Sequence, residues 1–207
     1  MNRIDSLFAE NRDPAAFAGG YLRYLAQLCA KMDPQEIGRF MEVLLQARER
    51  GARIFFLGNG GSAATASHFA NDIAIGTRSR EKPFRAISLC DNLAMITAIG
   101  NDYGYEQIFL RQLENQMQEG DVVVAISASG NSPNVLQAVE FANSRGNVTV
   151  GLTGFAGGRL REIVGISVHV PTLPGEYGPV EDLHMIIDHL VGAFLMQRVR
   201  QEISVLE

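Results

Sequence analysis

Three observations predict a three-layer α/β fold, a doubly wound, mostly parallel sheet flanked by helices. Short apolar runs alternate with stretches of helical periodicity along the chain. Two of the runs end in turns rich in glycine, serine and asparagine that lead straight into helices, as strands of an open parallel sheet do at their carboxyl ends. With 207 residues, 46% of them apolar and 20% charged, the chain can bury a full core. No linker, repeat or low-complexity stretch divides it, so residues 1–207 read as one domain with 1–50 as its N-terminal helical part.

The elements follow in order. From Asp13 to Arg50, Phe17, Tyr21, Tyr24, Leu25 and Leu28, then Ile37, Phe40, Met41, Leu44 and Leu45, recur at intervals of three and four. That spacing predicts two helices, each with one buried stripe, and Asp33-Pro34 starts the second. Residues 52–57 form a continuous apolar run, a strand buried on both faces, and a helix follows over 62–75. A strand over 84–89 precedes helices over 92–100 and 106–118. Residues 121–126 are the clearest strand, with the helix 133–145 behind a well-placed Pro133. Residues 148–153 and 166–170 add two strands, 171–179 reads as a loop, and a long helix from about Val180 to Ile203 closes the chain.

Composition excludes several classes. Net charge is −5 and the basic residues are dispersed, so no footprint for direct nucleic-acid binding exists. No apolar run reaches the roughly 18 residues of a membrane span. The N-terminus carries no signal pattern and the two cysteines make no disulfide framework, which points to a reducing cytoplasm.

The chemistry concentrates in the turns Gly58-Asn-Gly-Gly-Ser62 and Ser127-Ala-Ser-Gly-Asn-Ser132. Glycine lets a ligand approach the backbone, the N–H groups at the helix start point outward, the helix dipole favours an anion, and serine hydroxyls add donors. Either turn alone also describes a capped tight turn; two together suit a phosphate. Neither ends in the Lys-Ser/Thr of a nucleotide loop, and the first lacks the third glycine of the dinucleotide fingerprint, so no nucleotide cofactor is expected.

These two loops, with Gly100-Asn-Asp-Tyr-Gly-Tyr105 between them, resemble the sugar isomerase (SIS) domain family, and most closely its bacterial phosphoheptose isomerases. The resemblance runs from the opening helices to the last. It implies an SIS-type fold, a homotetramer with sites between subunits, and conversion of sedoheptulose 7-phosphate to D-glycero-D-manno-heptose 7-phosphate through an enediolate. By the same resemblance Asn59, Gly60 and Gly61 contact the sugar phosphate, Asn101 with Asp102 contributes at the end of the second strand, and Ser127, Ala128, Ser129 and Ser132 grip the phosphate. The family's serine-threonine-serine reads serine-alanine-serine here.

His68 matches the family, whereas the glutamate four residues on is Asp72 in this chain. The two fall on one helical face. Glu181 stands where the family has glutamine and His189 where it has histidine. Some relatives bind zinc through this quartet, so His68, Asp72, Glu181 and His189 are the implied metal ligands, Glu181 also faces the substrate, and Asp72 with His189 is the implied acid–base pair. On one unbroken helix Glu181 and His189 lie about 12 Å apart in rise; Glu181 with His184 is the closer pair, unless different subunits supply the ligands. His169 reads as structural, and Cys90 has no activating partner. Two other readings stay open: an adaptor that assembles replication-initiator molecules without sugar chemistry, and an isomerase of a different phosphosugar.

Overall fold

Five strands, β1 (Arg53–Gly58), β2 (Arg85–Ser88), β3 (Val122–Ser127), β4 (Val148–Thr153) and β5 (Ile166–His169), form one sheet in the order β2-β1-β3-β4-β5. Every neighbouring pair is parallel. The computed structural model describes residues 2–206. Among these, the α-helices are α1 (Arg3–Glu10), α2 (Pro14–Cys29), α3 (Pro34–Glu49), α4 (Gly61–Asn71), α5 (Leu93–Asp102), α6 (Leu110–Gln116), α7 (Pro133–Ser144), α8 (Gly158–Ile163) and α9 (Tyr177–Leu206).

Alternation along the strands sorts the core into two layers. Ile54 and Phe56 of β1, with Val122, Val124 and Ile126 of β3, pack against α3, α4 and α9. Phe55 and Leu57, with Val123 and Ala125, face α5, α6, α7 and α8. Because successive side chains leave a strand on opposite faces, a strand covered on both sides must be apolar throughout, and β3 is buried at all its positions. The helix α9 contributes Val180, Leu183, Ile187, Val191, Leu195 and Val199 to the first layer, all within a few per cent of complete burial.

The strand order reverses direction between β1 and β3. In open parallel sheets that seam leaves a crevice at the carboxyl ends, where the helices after the two strands depart to opposite faces. Here α4 leaves toward the first layer and α7 toward the second, so the two glycine-serine turns border one crevice.

The predicted elements are present, with five differences, the first being that the helix expected over 106–118 is a 3₁₀ turn, Tyr105–Gln107, followed by the short α6. Residues 3–10 form α1, anchored by a capping box between Asn2 and Asp5. Residues 158–163 form the short α8. The helix expected over 62–75 is α-helical only to Asn71 and continues as a π-helical turn, Asp72–Gly76. The helix α9 begins inside the expected 171–179 loop. Pro179 lies in its first turn, where a missing N–H forfeits no helical hydrogen bond.

Candidate active site

The crevice between β1 and β3 is a small cradle. A cavity of about 160 Å³ is lined by Asn59, Ser62, Ser127, Ala128, Ser129, Ser132, Tyr177 and Glu181. Gly60 takes φ 55°, ψ −123°, a conformation that only glycine adopts readily, and so turns the chain sharply from β1 into α4. In the second loop, the Gly130 N–H donates to Ser127 Oγ at 3.1 Å and the Leu160 N–H donates to the Gly130 carbonyl at 2.8 Å. Gly130 has φ 65°, and a Cβ there would run into the carbonyl of Gly157. The loop is therefore pinned from both sides. Neither α4 nor α7 has a side-chain N-cap bond; Pro133 carries no N–H and those of Ala63 and Val135 are bonded, which leaves the N–H groups of Gly61, Ser62 and Asn134 and the Ser132 hydroxyl to face a ligand.

The loops are tied together across the seam. Asn59 and Asn134 exchange amide hydrogen bonds, each Nδ2 donating to the other's Oδ1 at 2.9 Å. The Tyr105 hydroxyl also donates to Asn59 Oδ1, at 3.0 Å. Asn134 is 2% exposed. Sequence reasoning passed over it; its placement directly after Pro133, in the first turn of the helix that closes the second loop, was the available signal.

A second constellation sits where α4 packs on α9. Phe69 and Ile73 on one side and Leu183, Ile187 and Val191 on the other fill the contact, and the polar residues beside them meet at its edge. His68 Nε2 lies 3.5 Å from Asp72 Oδ2 and 3.4 Å from His189 Nε2. Asp188 Oδ2 is 4.0 Å from His68 Nε2. One ligand atom from each of His68, Asp72, Asp188 and His189 lies within 4.8 Å of the others. His68 and His189 are exposed, whereas Asp188 is fully buried and neither of its oxygens has a hydrogen-bond partner among the described residues. Burial, and then the Asp72 carboxylate, push the Asp188 carboxyl up to about 7.

Of the implied metal quartet, His68, Asp72 and His189 thus come together and Glu181 does not. It lies two helical turns before His189 on the unbroken α9, and its carboxylate sits against Gly61 in the cradle. Burial, and then Asp182 beside it, raise its pKa. Tyr21 holds Asp182 through a 2.5 Å hydrogen bond, which fixes this end of the helix. The alternative pairing of Glu181 with His184 is also absent: His184 is fully buried, with Nε2 3.3 Å from the Thr153 carbonyl.

Asn101 and Asp102 fall not at a strand end but at the end of α5, where both are exposed and the Asn101 amide donates to Asp102. Tyr105, three residues on, is the part of this segment that reaches the cradle. His169 bonds Thr153 Oγ1 at 2.9 Å, in keeping with a structural role. Burial raises the Cys90 thiol, whose sulfur points at the Gly58 carbonyl; that is the opposite of activation. A wider groove, about 810 Å³, is lined by another face of α4 with Ser67 and Asn71 and by Ala74 of the π-helical turn, and holds none of the expected site residues.

Comparison with known proteins places these features in context. The SIS domain model matches residues 20–154. The chain is 43% identical over 155 residues to the phosphoheptose isomerase of Geobacter metallireducens, covering 75% of this chain and 81% of that protein. It is 39% identical over 169 residues to that of Pelobacter propionicus, covering 82% and 88%. The structure of a phosphoheptose isomerase from Neisseria gonorrhoeae superposes with a TM-score of 0.78 at 31% identity, covering 87% of this chain and 95% of that one.

Proposed function

The chain belongs to the SIS domain family and to the phosphoheptose isomerases within it, and from that premise we propose that it isomerises sedoheptulose 7-phosphate to the aldose heptose 7-phosphate. The observation that carries the reading is the pairing of an anion cradle at the start of α4 with an acid–base cluster two turns along, where the end of α4 packs on α9. The cradle holds the phosphate through the N–H groups of Gly61, Ser62 and Asn134 at the starts of α4 and α7 and the hydroxyls of Ser127, Ser129 and Ser132, with Asn59, Gly60, Gly61 and Ala128 shaping the backbone around it. Glu181 accepts from a sugar hydroxyl beside Gly61, and the segment that carries Asn101 and Asp102 reaches the site through Tyr105.

Aldose–ketose interconversion moves one proton between adjacent carbons and shifts charge onto the carbonyl oxygen, so it needs a base, an acid and a stabiliser for the enediolate. Asp72 takes the proton from the carbon and His189 serves the oxygen. Aspartate has one methylene less reach than the family's glutamate, and the π-helical turn that begins at Asp72 offsets the backbone there. Such turns concentrate at functional sites.

Two imidazoles and a carboxylate are a donor set that fits zinc, and His68, Asp72 and His189 would hold it. Bound there, the ion would supply Lewis-acid polarisation of the substrate oxygen. One nitrogen cannot carry an ion and a proton together, so the ion-loaded and proton-carrying forms of His189 are alternatives.

Ile186, Leu190 and Phe194 recur at intervals of four on the outer side of α9 and are 41–45% exposed. This second apolar stripe supports a homo-oligomer, read as the tetramer of the family, with sites near the interfaces. A soluble phosphorylated substrate fits a cytoplasmic enzyme, and among the described residues no helix is long and apolar enough to cross a membrane.

The test is turnover of sedoheptulose 7-phosphate followed by NMR, with and without zinc, beside Asp72→Ala. Aldose formed by the native protein and lost in the variant supports the reading. Binding of the sugar phosphate without turnover under either condition leaves a different phosphosugar, or a non-catalytic role, as the function.

A further inference from the structure

We propose that Asp188, and not Glu181, is the fourth ligand of a divalent cation held by His68, Asp72 and His189. The separations of His68 from His189 and Asp72 match a single ion, and Asp188 lies within an ångström of that spacing from His68. Zinc–nitrogen bonds of about 2.0–2.1 Å put two ligand atoms of a tetrahedron about 3.3 Å apart, and the two imidazole Nε2 atoms are 3.4 Å apart. Asp72 Oδ2 lies at 3.5 Å from His68 Nε2 and Asp188 Oδ2 at 4.0 Å, with all four donors inside a 4.8 Å sphere of mutual distance. Glu181 stands two turns away, against Gly61.

The second, independent observation is the state of Asp188 itself. Its side chain is 0% exposed and both of its oxygens lack a hydrogen-bond partner among the described residues. A carboxylate buried in that way is costly unless a cation faces it. Its neighbours by helical phase, His184 and Val191, are fully buried too, so the helix turns this residue inward between packed positions. A doubly charged ion between Asp72 and Asp188 cancels both carboxylates, and the two neutral imidazoles complete the set. Mixed nitrogen and oxygen donors select zinc or another late first-row divalent metal over calcium or magnesium, which take oxygen shells.

This assignment is separable from the isomerase reading, because it is tested with metal alone. The full-length native protein, Asp188→Asn and Glu181→Gln are stripped with chelator and titrated with zinc, and with cobalt(II) as a spectroscopic reporter of four-coordination. The native protein is expected to bind one ion per chain. Asp188→Asn weakens zinc by at least about tenfold and loses the cobalt band, while Glu181→Gln stays within about threefold of native. Circular dichroism melts of the stripped proteins check folding, and Asp188→Leu, which continues the apolar contact, replaces the asparagine variant if that one does not fold. Native-like affinity in the folded Asp188 variant, an equal loss in Glu181→Gln, or no binding by the native protein overturns the assignment. Asp188-dependent zinc binding by a protein that turns over no heptose phosphate supports it and fails only the isomerase reading.

Discussion

The loop cradle and the histidine-aspartate cluster lie at opposite ends of α4 and about two turns apart along α9, and they are built in opposite ways. The cradle is made of backbone N–H groups and short hydroxyls on two turns, and it is braced before any ligand arrives: Asn59 to Asn134, Tyr105 to Asn59, and Gly130 between Ser127 and Leu160. The cluster is made of long, ionisable side chains on two helix faces, and it contains a buried carboxylate with no partner. A binding element gains from preorganisation, because a satisfied scaffold loses little on accepting a ligand. A proton-moving or ion-holding element keeps polar groups uncommitted, and the stability of the surrounding core offsets that cost.

The sharpest way to break the comparison is to disable the cluster and look at the cradle. His189→Ala and Asp72→Ala are each expected to lower turnover by about 10²- to 10⁴-fold while calorimetric affinity for the sugar phosphate stays within a few-fold; loss of both together would make the two regions one unit. His184 sits between them on α9. Burial holds it down to about 4, from an unfolded value near 6.5, so its neutral form favours the fold above that range. The unfolded chain binds the extra proton first, and stability falls as pH drops from 6.5 toward 4, by up to about 3 kcal/mol. The difference in urea stability between the native protein and His184→Leu across that window should show this slope, since His169, held down to about 4 by burial, adds to the native pH dependence and Asp188, raised to about 7, opposes it; turnover at neutral pH should not change.

Effects on the cradle are smaller and fall on binding. In Gly130→Ala the left-handed backbone and the Gly157 carbonyl both oppose the new methyl, and a loss of about 2 kcal/mol in urea stability is expected. Ser132→Ala removes one charge-assisted donor, worth roughly tenfold in KM, with kcat nearly unchanged. A fall in kcat instead would place Ser132 in the chemistry.

The same contrast governs what the sequence disclosed. The cradle was legible because each half is contiguous: an apolar run, a glycine-serine turn and a helix start lie within about a dozen residues. The cluster required knowing that α4 and α9 touch. His68 and Asp72 could be paired from their spacing, but His189 came only through resemblance, and Glu181 was drawn in with it although the length of α9 keeps it in the cradle. Asp188 stood in the same segment and went unremarked, since an aspartate beside a histidine reads as a solvated face; its phase with His184 and Val191 was the clue. The helices α1 and α8 are short and carry too few apolar residues for a period to show. The π-helical turn follows no 3.6-residue template at all. Nothing in the local sequence singles out Asn134, and only its partner across the seam, 75 positions away in the chain, gives it its role.

That asparagine pair joins the turns that follow β1 and β3, two neighbouring strands that lie far apart along the chain. A ligand spanning the pair acts as a clasp between two foldons. Amide exchange at 58–64 and at 127–135 is then expected to slow by one common factor when sugar phosphate is added, about a hundredfold at a concentration a hundred times the Kd. The molecule would thus report occupancy of a small cavity through two buried strands of its sheet.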